Sequence, residues 1–253
     1  MNWYGLYTLF AKEVWRFMKV ATQTIITPVI TVLLYLLVFS SVLSERVEIY
    51  ENISYTTFLV PGLIMMSIIQ NAFANSASSL FLSKMTGSLV LLLLPPLSSW
   101  EFYLAYVGAS VLRGLLVGLG VWVATLLFTV LPIYNIWILL IFAVLGSSVL
   151  GTLGLIAALW ADKWDHISVF QNFAILPLTF LSGVFYRIDN LPDFWEQISY
   201  FNPFFYMIDG FRYGFFGLSE INIGISLAIV SLFFLIVTTF GLWLLHIGYK
   251  IRH

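Results

Sequence analysis

The chain has 253 residues, of which 61% are hydrophobic and 9% charged, with a net charge of −1. Soluble domains carry about 25% charged residues, and no soluble fold of this length could enclose so much apolar surface, so lipid must cover much of it. The near-neutral balance argues against nucleic acid as a partner, because phosphate binding needs a basic surface, and the lack of cysteine excludes disulfides and thiolate metal sites.

Residues 2–19 predict an interfacial helix. Trp3, Tyr7, Phe10, Val14 and Phe17 share one face, while Lys12, Arg16 and Lys19 are placed to reach headgroups. Charges at Lys12, Glu13 and Arg16 do not fit a cleavable signal peptide. A first span is expected over Thr24–Leu43, with Pro28 near its start, where a missing N–H is tolerated. An acidic loop follows, with Glu45, Glu48 and Glu51 against Arg46. The second apolar stretch, Tyr55–Leu82, exceeds the roughly 20 residues a bilayer needs. Its last turns carry Gln70, Asn71, Asn75 and several serines, which predicts an end that projects beyond the lipid.

Residues 83–101 form a cytoplasmic loop with a leucine run closed by Pro95-Pro96. Further spans are expected over Phe102–Thr129, Ile136–Leu159, Val169–Phe185 and Ile223–Ile247. A polar link, Ala161–His166, precedes the fifth span, Val169–Phe185. Residues 186–220 are aromatic, mixed polar and broken by Pro192 and Pro203, so they do not read as a standard span. The expected fold is all-α integral membrane, with six transmembrane helices, an N-terminal interfacial helix and a re-entrant helical segment before the last span. With both termini cytoplasmic, Lys12, Arg16, Lys19, Lys84, Lys163, Lys250 and Arg252 lie inside, and Arg46, Arg187 and Arg212 outside, in agreement with the positive-inside rule.

Four features carry functional information, each beside a plain structural alternative. Ser110, Gly114 and Gly118 in the third span, and Ala143, Ser147 and Gly151 in the fourth, recur at spacing four, which serves intrachain packing or a subunit interface. Arg113 is costly at membrane depth and must snorkel, pair, or line an interface or the inner mouth of a pathway. No membrane-embedded acid stands out to neutralise it. The segment Gly87–Pro96 is too short to span and too apolar for a solvated loop. It is either a partly buried interfacial loop or a short helix presenting an apolar knob to a cytoplasmic partner. The stretch 182–216 joins Asp209 and Arg212 at a helical spacing that allows a pair. Its many aromatics suit an interfacial belt or a re-entrant pair of half-helices.

There is no G-x-x-x-x-G-K-[ST] and no H-E-x-x-H, and His166, His246 and His253 are scattered, so neither nucleotide binding by a P-loop nor a metal site is expected in this chain.

Several blocks together resemble the permease subunits of ABC-2-type exporters, in a bacterial inner-membrane branch related to the Nod-factor, capsule and O-antigen polysaccharide exporters. They are Phe58-Leu-Val-Pro-Gly-Leu63, Gly87–Pro96, Leu181-Ser-Gly-Val-Phe-Tyr186, Leu191-Pro192, Asn202-Pro203 and Tyr206-Met-Ile-Asp-Gly-Phe-Arg212. The resemblance covers essentially the whole chain as one transmembrane domain, 1–253. It implies a homodimer in the bacterial inner membrane that works with two separate ATP-binding subunits, which would hold ATP and Mg, so this chain itself needs no cofactor and is not an enzyme. It implies that Lys84, Gly87, Ser88, Leu89, Val90, Leu91 and Leu94 form the coupling element to the ATPase. Phe185, Tyr186, Tyr206, Asp209 and Arg212 would form an outer gate, with Arg113 on the pathway. Where the family often carries a Glu shortly after the coupling glycine, this chain has Ser88, Leu89 and Val90, which shifts the expected contact onto apolar packing and Lys84.

The expected activity is ATP-driven export. A secondary transporter or channel would show embedded carboxylates or interrupted helices in both halves. An intramembrane enzyme would need embedded His, Asp or Glu constellations. A membrane scaffold without a pathway sits poorly with the broken aromatic block.

Overall fold

Ser54 and Gly87 bracket the longest helix. The Ser54 side chain accepts the Thr57 N–H and starts a helix over Tyr55–Met85. Gly87, in the left-handed region at φ 71°, turns the chain away at its other end. The computed structural model describes residues 2–43, 48–50 and 53–250. In chain order these form α1 (Trp3–Met18), α2 (Ala21–Leu43), a short antiparallel ladder of β1 (Glu48–Tyr50) with β2 (Ile53–Ser54), α3 (Tyr55–Met85), α4 (Ser88–Leu93), α5 (Ser99–Thr125) and α6 (Ile136–Trp160). There follow α7 (Trp164–Phe170), a π turn (Gln171–Ile175), α8 (Leu176–Phe180), a 3-10 turn (Ile188–Asn190), α9 (Asp193–Tyr200), α10 (Pro203–Phe216) and α11 (Ile223–Ile247). The acidic-loop residues Glu45, Arg46 and Glu51, and Arg252, lie outside the described residues.

α3 is the mast of the bundle. It packs chiefly against α6 and α5, with α10 and α2 completing its surroundings. Of its most apolar stretch 78% is buried, against 17% for α2 and 22% for α11, which therefore ring the core. The close approaches depend on missing side chains. A Cβ on Gly154 of α6 would lie 2.3 Å from the Phe73 carbonyl oxygen of α3, and one on Gly151 would meet Ser110 of α5 at 3.0 Å. Gly114 lies 3.4 Å from the Ser147 Cβ by the same construction. The small residues of the third and fourth spans thus serve packing within the chain.

Five helices among the described residues are long and apolar enough to cross a membrane: Ala21–Phe39, Tyr55–Met85, Ser99–Thr125, Ile136–Trp160 and Ile223–Ile247. The stretch expected as the span Val169–Phe185 is a composite helix that begins earlier, at Trp164, and stops at Phe180. It extends roughly 25 Å at 1.5 Å per residue, short of a hydrocarbon core of roughly 30 Å. Its π turn, in which the Leu176 N–H reaches the Gln171 carbonyl, precedes Pro177, whose ring and missing N–H disturb the regular ladder.

α1 differs from the expected interfacial helix in which face it buries. Leu9, Glu13 and Phe17 are enclosed, and Leu6 and Phe10 pack on the core. Trp3, Tyr4, Tyr7, Trp15 and Met18 are its exposed large apolar residues. The helix lies along the first half of α5, with Gly5 against Leu97 and Gly108 against Phe10.

Candidate functional site

Three groupings of polar or exposed side chains stand out. The first is at the α4 end of the bundle. Leu89 is buried and Leu92 packs on the core, which pins the short helix. Val90, Leu91 and Leu94 point away from it and are exposed, and Leu82 and Met85 extend the same apolar surface. Ser88 bonds locally to Thr86 at 2.9 Å. A Cβ on Gly87 would meet nothing within 4 Å, so its left-handed φ is the constraint there. Lys84 faces elsewhere. Its ammonium donates to the Leu159 and Ala161 carbonyls at 3.1 and 2.8 Å, where the C-terminal dipole of α6 favours a cation. Asp162 bridges it to Lys250 of the segment after α11, and those two amines hold the Asp162 carboxyl below the usual range, Lys250 most strongly.

The second grouping is a buried polar chain that the sequence did not reveal. The fully buried Glu13 carboxylate of α1 accepts from Lys12 at 2.7 Å, Arg16 at 3.2 Å and Ser79 of α3 at 2.5 Å. Arg16 continues inward to the Asn75 carbonyl and side-chain oxygens at 3.1 and 2.7 Å. Arg113 of α5 reaches the same Asn75 oxygen at 3.5 Å and Asn71 at 3.3 Å. Ser110 bonds Asn75 and Ser76. Within the molecule the polar end of α3 is covered: Asn75, Ser76, Ser79 and Ser83 are buried, with Asn75 and Ser76 bonded to Ser110 and Ser79 donating to Glu13. Arg16, expected at the headgroups, is part of this interior chain. Arg113 is linked to a buried acid, Glu13, through Asn75 and Arg16.

The third grouping lies at the opposite end. Leu181–Tyr186 is a turn with Gly183 at φ 71°. It rests on α3 because Gly62 has no side chain: a Cβ there would lie 3.0 Å from the Val184 carbonyl oxygen. Tyr55 donates to the Phe185 carbonyl at 2.9 Å. The Phe185 ring sits 5.4–5.6 Å from those of Tyr35, Phe39 and Phe180, closing α2 against α8. The Tyr186 hydroxyl donates to Phe180 at 3.1 Å and that of Tyr206 to Tyr200 at 2.8 Å. Arg212 is buried, with its guanidinium 3.9 Å from the Phe58 ring centroid and one amine donating to the Gly183 carbonyl at 2.7 Å. The ion pair expected with Asp209 is made with Glu220, at 3.9 Å. Asp209 instead accepts the Glu220 N–H at 3.1 Å, and Glu220 accepts the Ile188 N–H at 3.0 Å. Burial pushes the Glu220 carboxyl up to about 7, against the pull of Arg212.

α10 runs antiparallel to the first half of α6. Gly217 lies against Tyr134, Gly214 against Leu139, Gly210 against Phe142 and Met207 beside Gly146. At 14 residues it covers roughly 21 Å. The Asn202 amide that precedes it donates to the Leu178 carbonyl of α8 at 2.6 Å.

A family model described as "ABC-2 type transporter" matches residues 4–216, which include all three groupings except Glu220 and Lys250. The chain belongs to the ABC-2 type transporter family. It is 39% identical over 241 residues to the inner membrane transport permease YadH of Escherichia coli (strain K12), covering 93% of this chain and 94% of that one. It is 24% identical over 234 residues to nodulation protein J of Rhizobium leguminosarum bv. viciae, covering 88% of each. As a member of this family the chain is a transport permease. Within that frame the structure brings Phe185, Tyr186 and Arg212 to one turn, joins Asp209 to it through Glu220, and places the Tyr206 hydroxyl on Tyr200 instead. It sets Arg113 apart with α1 and α3, and turns Lys84 away from Val90, Leu91 and Leu94. Glu220 and Glu13 were not singled out from the sequence. A signal for each existed: a lone acid in an apolar setting needs a buried cation.

Proposed function

We propose that this chain is the permease half of an ATP-driven exporter of the bacterial inner membrane, a transport subunit rather than an enzyme. The observation that carries this reading is α4. Val90, Leu91 and Leu94 stand out as an apolar knob beside Leu82 and Met85, on a chain that has no P-loop of its own. A separate ATP-binding subunit with an apolar cleft would cover that knob and would carry ATP and Mg. In this reading both termini and α4 are cytoplasmic. Trp164–Phe180, continued by the Leu181–Tyr186 turn, completes a sixth crossing, and α9 with α10 forms a re-entrant hairpin at the outer face. Two copies would meet through α2 and the Trp164–Phe180 segment, whose Val169 and Phe173 are exposed. Closure of the ATPase pair would displace α4, and Phe185, Tyr186, Tyr206, Asp209 and Arg212 would rearrange as the gate.

The test is co-purification of the chain in detergent with a candidate ATP-binding subunit, read by co-elution and ATP hydrolysis. A complex that Ser88→Arg or Leu91→Asp dissociates or uncouples supports the reading. A complex indifferent to both changes, or no complex at all, moves the ATP-independent transporter ahead.

A further inference from the structure

The layer where α1, α3 and α5 meet holds more positive charge than its own carboxylates balance. Lys12 and Arg16 both reach Glu13, at 2.7 and 3.2 Å. The Arg16 and Arg113 guanidiniums then converge on a single atom, the Asn75 side-chain oxygen, at 2.7 and 3.5 Å. Arg113 donates its other side-chain bond to Asn71, which is also neutral. Among the described residues no second acid pairs with any of the three, so three cations share one carboxylate. Two guanidiniums on one neutral oxygen repel each other, and excess charge beside hydrocarbon is costly. An anion from outside the chain would relieve both.

The cluster remains within reach of such an anion. Lys12 is 40% exposed and Arg16 26%. Arg113 is partly exposed, and Lys19, one turn beyond Arg16, is exposed. In the orientation proposed above, Tyr55 at the start of α3 marks the outer boundary of the apolar layer. Asn75 then lies roughly 30 Å below it along the helix, at about 1.5 Å per residue, which is roughly the thickness of the hydrocarbon core. The cations therefore stand at the level of the inner-leaflet phosphates. The exposed Trp3, Tyr4, Tyr7 and Trp15 of α1 suit the same boundary.

We propose that Lys12, Arg16 and Arg113 hold the headgroup of an anionic phospholipid of the inner leaflet, as a resident lipid rather than as cargo. Two uncompensated positive charges match a lipid with two phosphodiesters, cardiolipin. A zwitterionic headgroup brings its own ammonium into a positive site and is disfavoured. The level of the cluster in the membrane rests on the orientation proposed above, whereas its charge does not.

The test uses the full chain, purified in nonionic detergent, stripped of lipid and without any ATP-binding subunit. It is titrated with cardiolipin, phosphatidylethanolamine or inorganic pyrophosphate, and bound mass is read by native mass spectrometry. Cardiolipin should bind in preference to phosphatidylethanolamine. Arg113→Gln and Lys12→Gln should each weaken it about fivefold, the effect of one cation on an anionic lipid. Lys163→Gln, an exposed cation of the link after α6, removes the same charge elsewhere and should leave the Kd unchanged. Lys12 is the more exposed of the two site residues, so its variant stays informative if Arg113→Gln fails to fold. Equal binding of cardiolipin and phosphatidylethanolamine overturns the proposal, as does an equal loss in Lys163→Gln or no loss in Lys12→Gln. Pyrophosphate binding as tightly as cardiolipin would make this a free-anion site and overturns the lipid assignment. Because no ATPase is present, each outcome is independent of whether α4 binds one.

Discussion

The guanidinium of Arg212 and the carboxylate of Glu220 lie 3.9 Å apart, and both side chains are almost wholly enclosed. The pair joins α10 to the loop before α11. Through the Gly183 carbonyl and the Ile188 N–H it also holds the turn after α8. Removing one member of a buried pair strands the other, at a cost of about 3–5 kcal/mol. Arg212→Leu should therefore lower the thermal midpoint in detergent sharply. Glu220→Gln, which retains an acceptor for Ile188, should cost less. An Arg212→Leu midpoint equal to the parent's would mean the pair contributes nothing.

The same carboxyl supplies a pH signature. Its folded value of about 7 lies above the ordinary 4.5, so the folded state binds the extra proton between those values. The Glu220 contribution is thus fully present below about pH 4.5, and is lost as pH rises through about 7. Asp189 and Asp209 add to the upward push and Arg212 opposes it. The difference in thermal midpoint between the parent and Glu220→Gln should change across that window and level off above it. A difference that is constant from pH 4.5 to 8 would contradict this assignment.

At α4, two neighbouring residues should behave oppositely. Leu91→Asp alters an exposed side chain and should change stability by no more than about 0.5 kcal/mol, while abolishing co-elution with an ATP-binding subunit. Leu89→Asp places a carboxylate at a buried position and should unfold the α4 region before any partner is added. Thermal unfolding of the isolated permease separates the two effects.

The glycines divide by cause. Gly154→Ala forces a methyl against the Phe73 carbonyl at 2.3 Å, an atom of helix backbone that cannot swing away. Overpacking of this kind costs about 1–3 kcal/mol. Gly87→Ala meets open space and pays only for a positive φ, about 1 kcal/mol. Reversal of that order in a thermal-shift comparison would argue that α3 and α6 are packed less closely than described.

The spans were legible because apolar runs bounded by Ser54, Ser98, Asn135 and Asn222 leave little choice of helix start; each of these side chains caps its helix. The Trp164–Phe180 segment was misjudged by several residues at each end. Hydropathy continues through Leu181–Tyr186, whereas the break is made by backbone conformation at Gly183 and by Pro177. The partner of Arg212 was misread for a related reason. Asp209 sits at helical spacing from it, but the left-handed Gly217 at the end of α10 returns the chain so that Glu220 arrives from outside the helix. The face of α1 was assigned by greasiness, which fails when a protein groove offers serines and asparagines and the lipid side accepts aromatics.

Asn75→Ala should break the link among α1, α3 and α5. A double-mutant cycle between Arg16 and Asn75 should return a coupling of about 0.5–3 kcal/mol, as for side chains in one hydrogen-bond network. Additive effects would show that the two contribute separately.

The placement of Glu13 also bears on biogenesis. α1 leaves the ribosome before α3 and α5, so Ser79 of α3, one of the groups that satisfies its carboxylate, is made later, as is the Ser98–Glu101 cap that receives the Asn2 N–H. Until then its aromatic side, Trp3, Tyr4, Tyr7 and Trp15, gives it a resting place at the water–lipid boundary. A helix made before its partners is thereby among the last to reach its final seat.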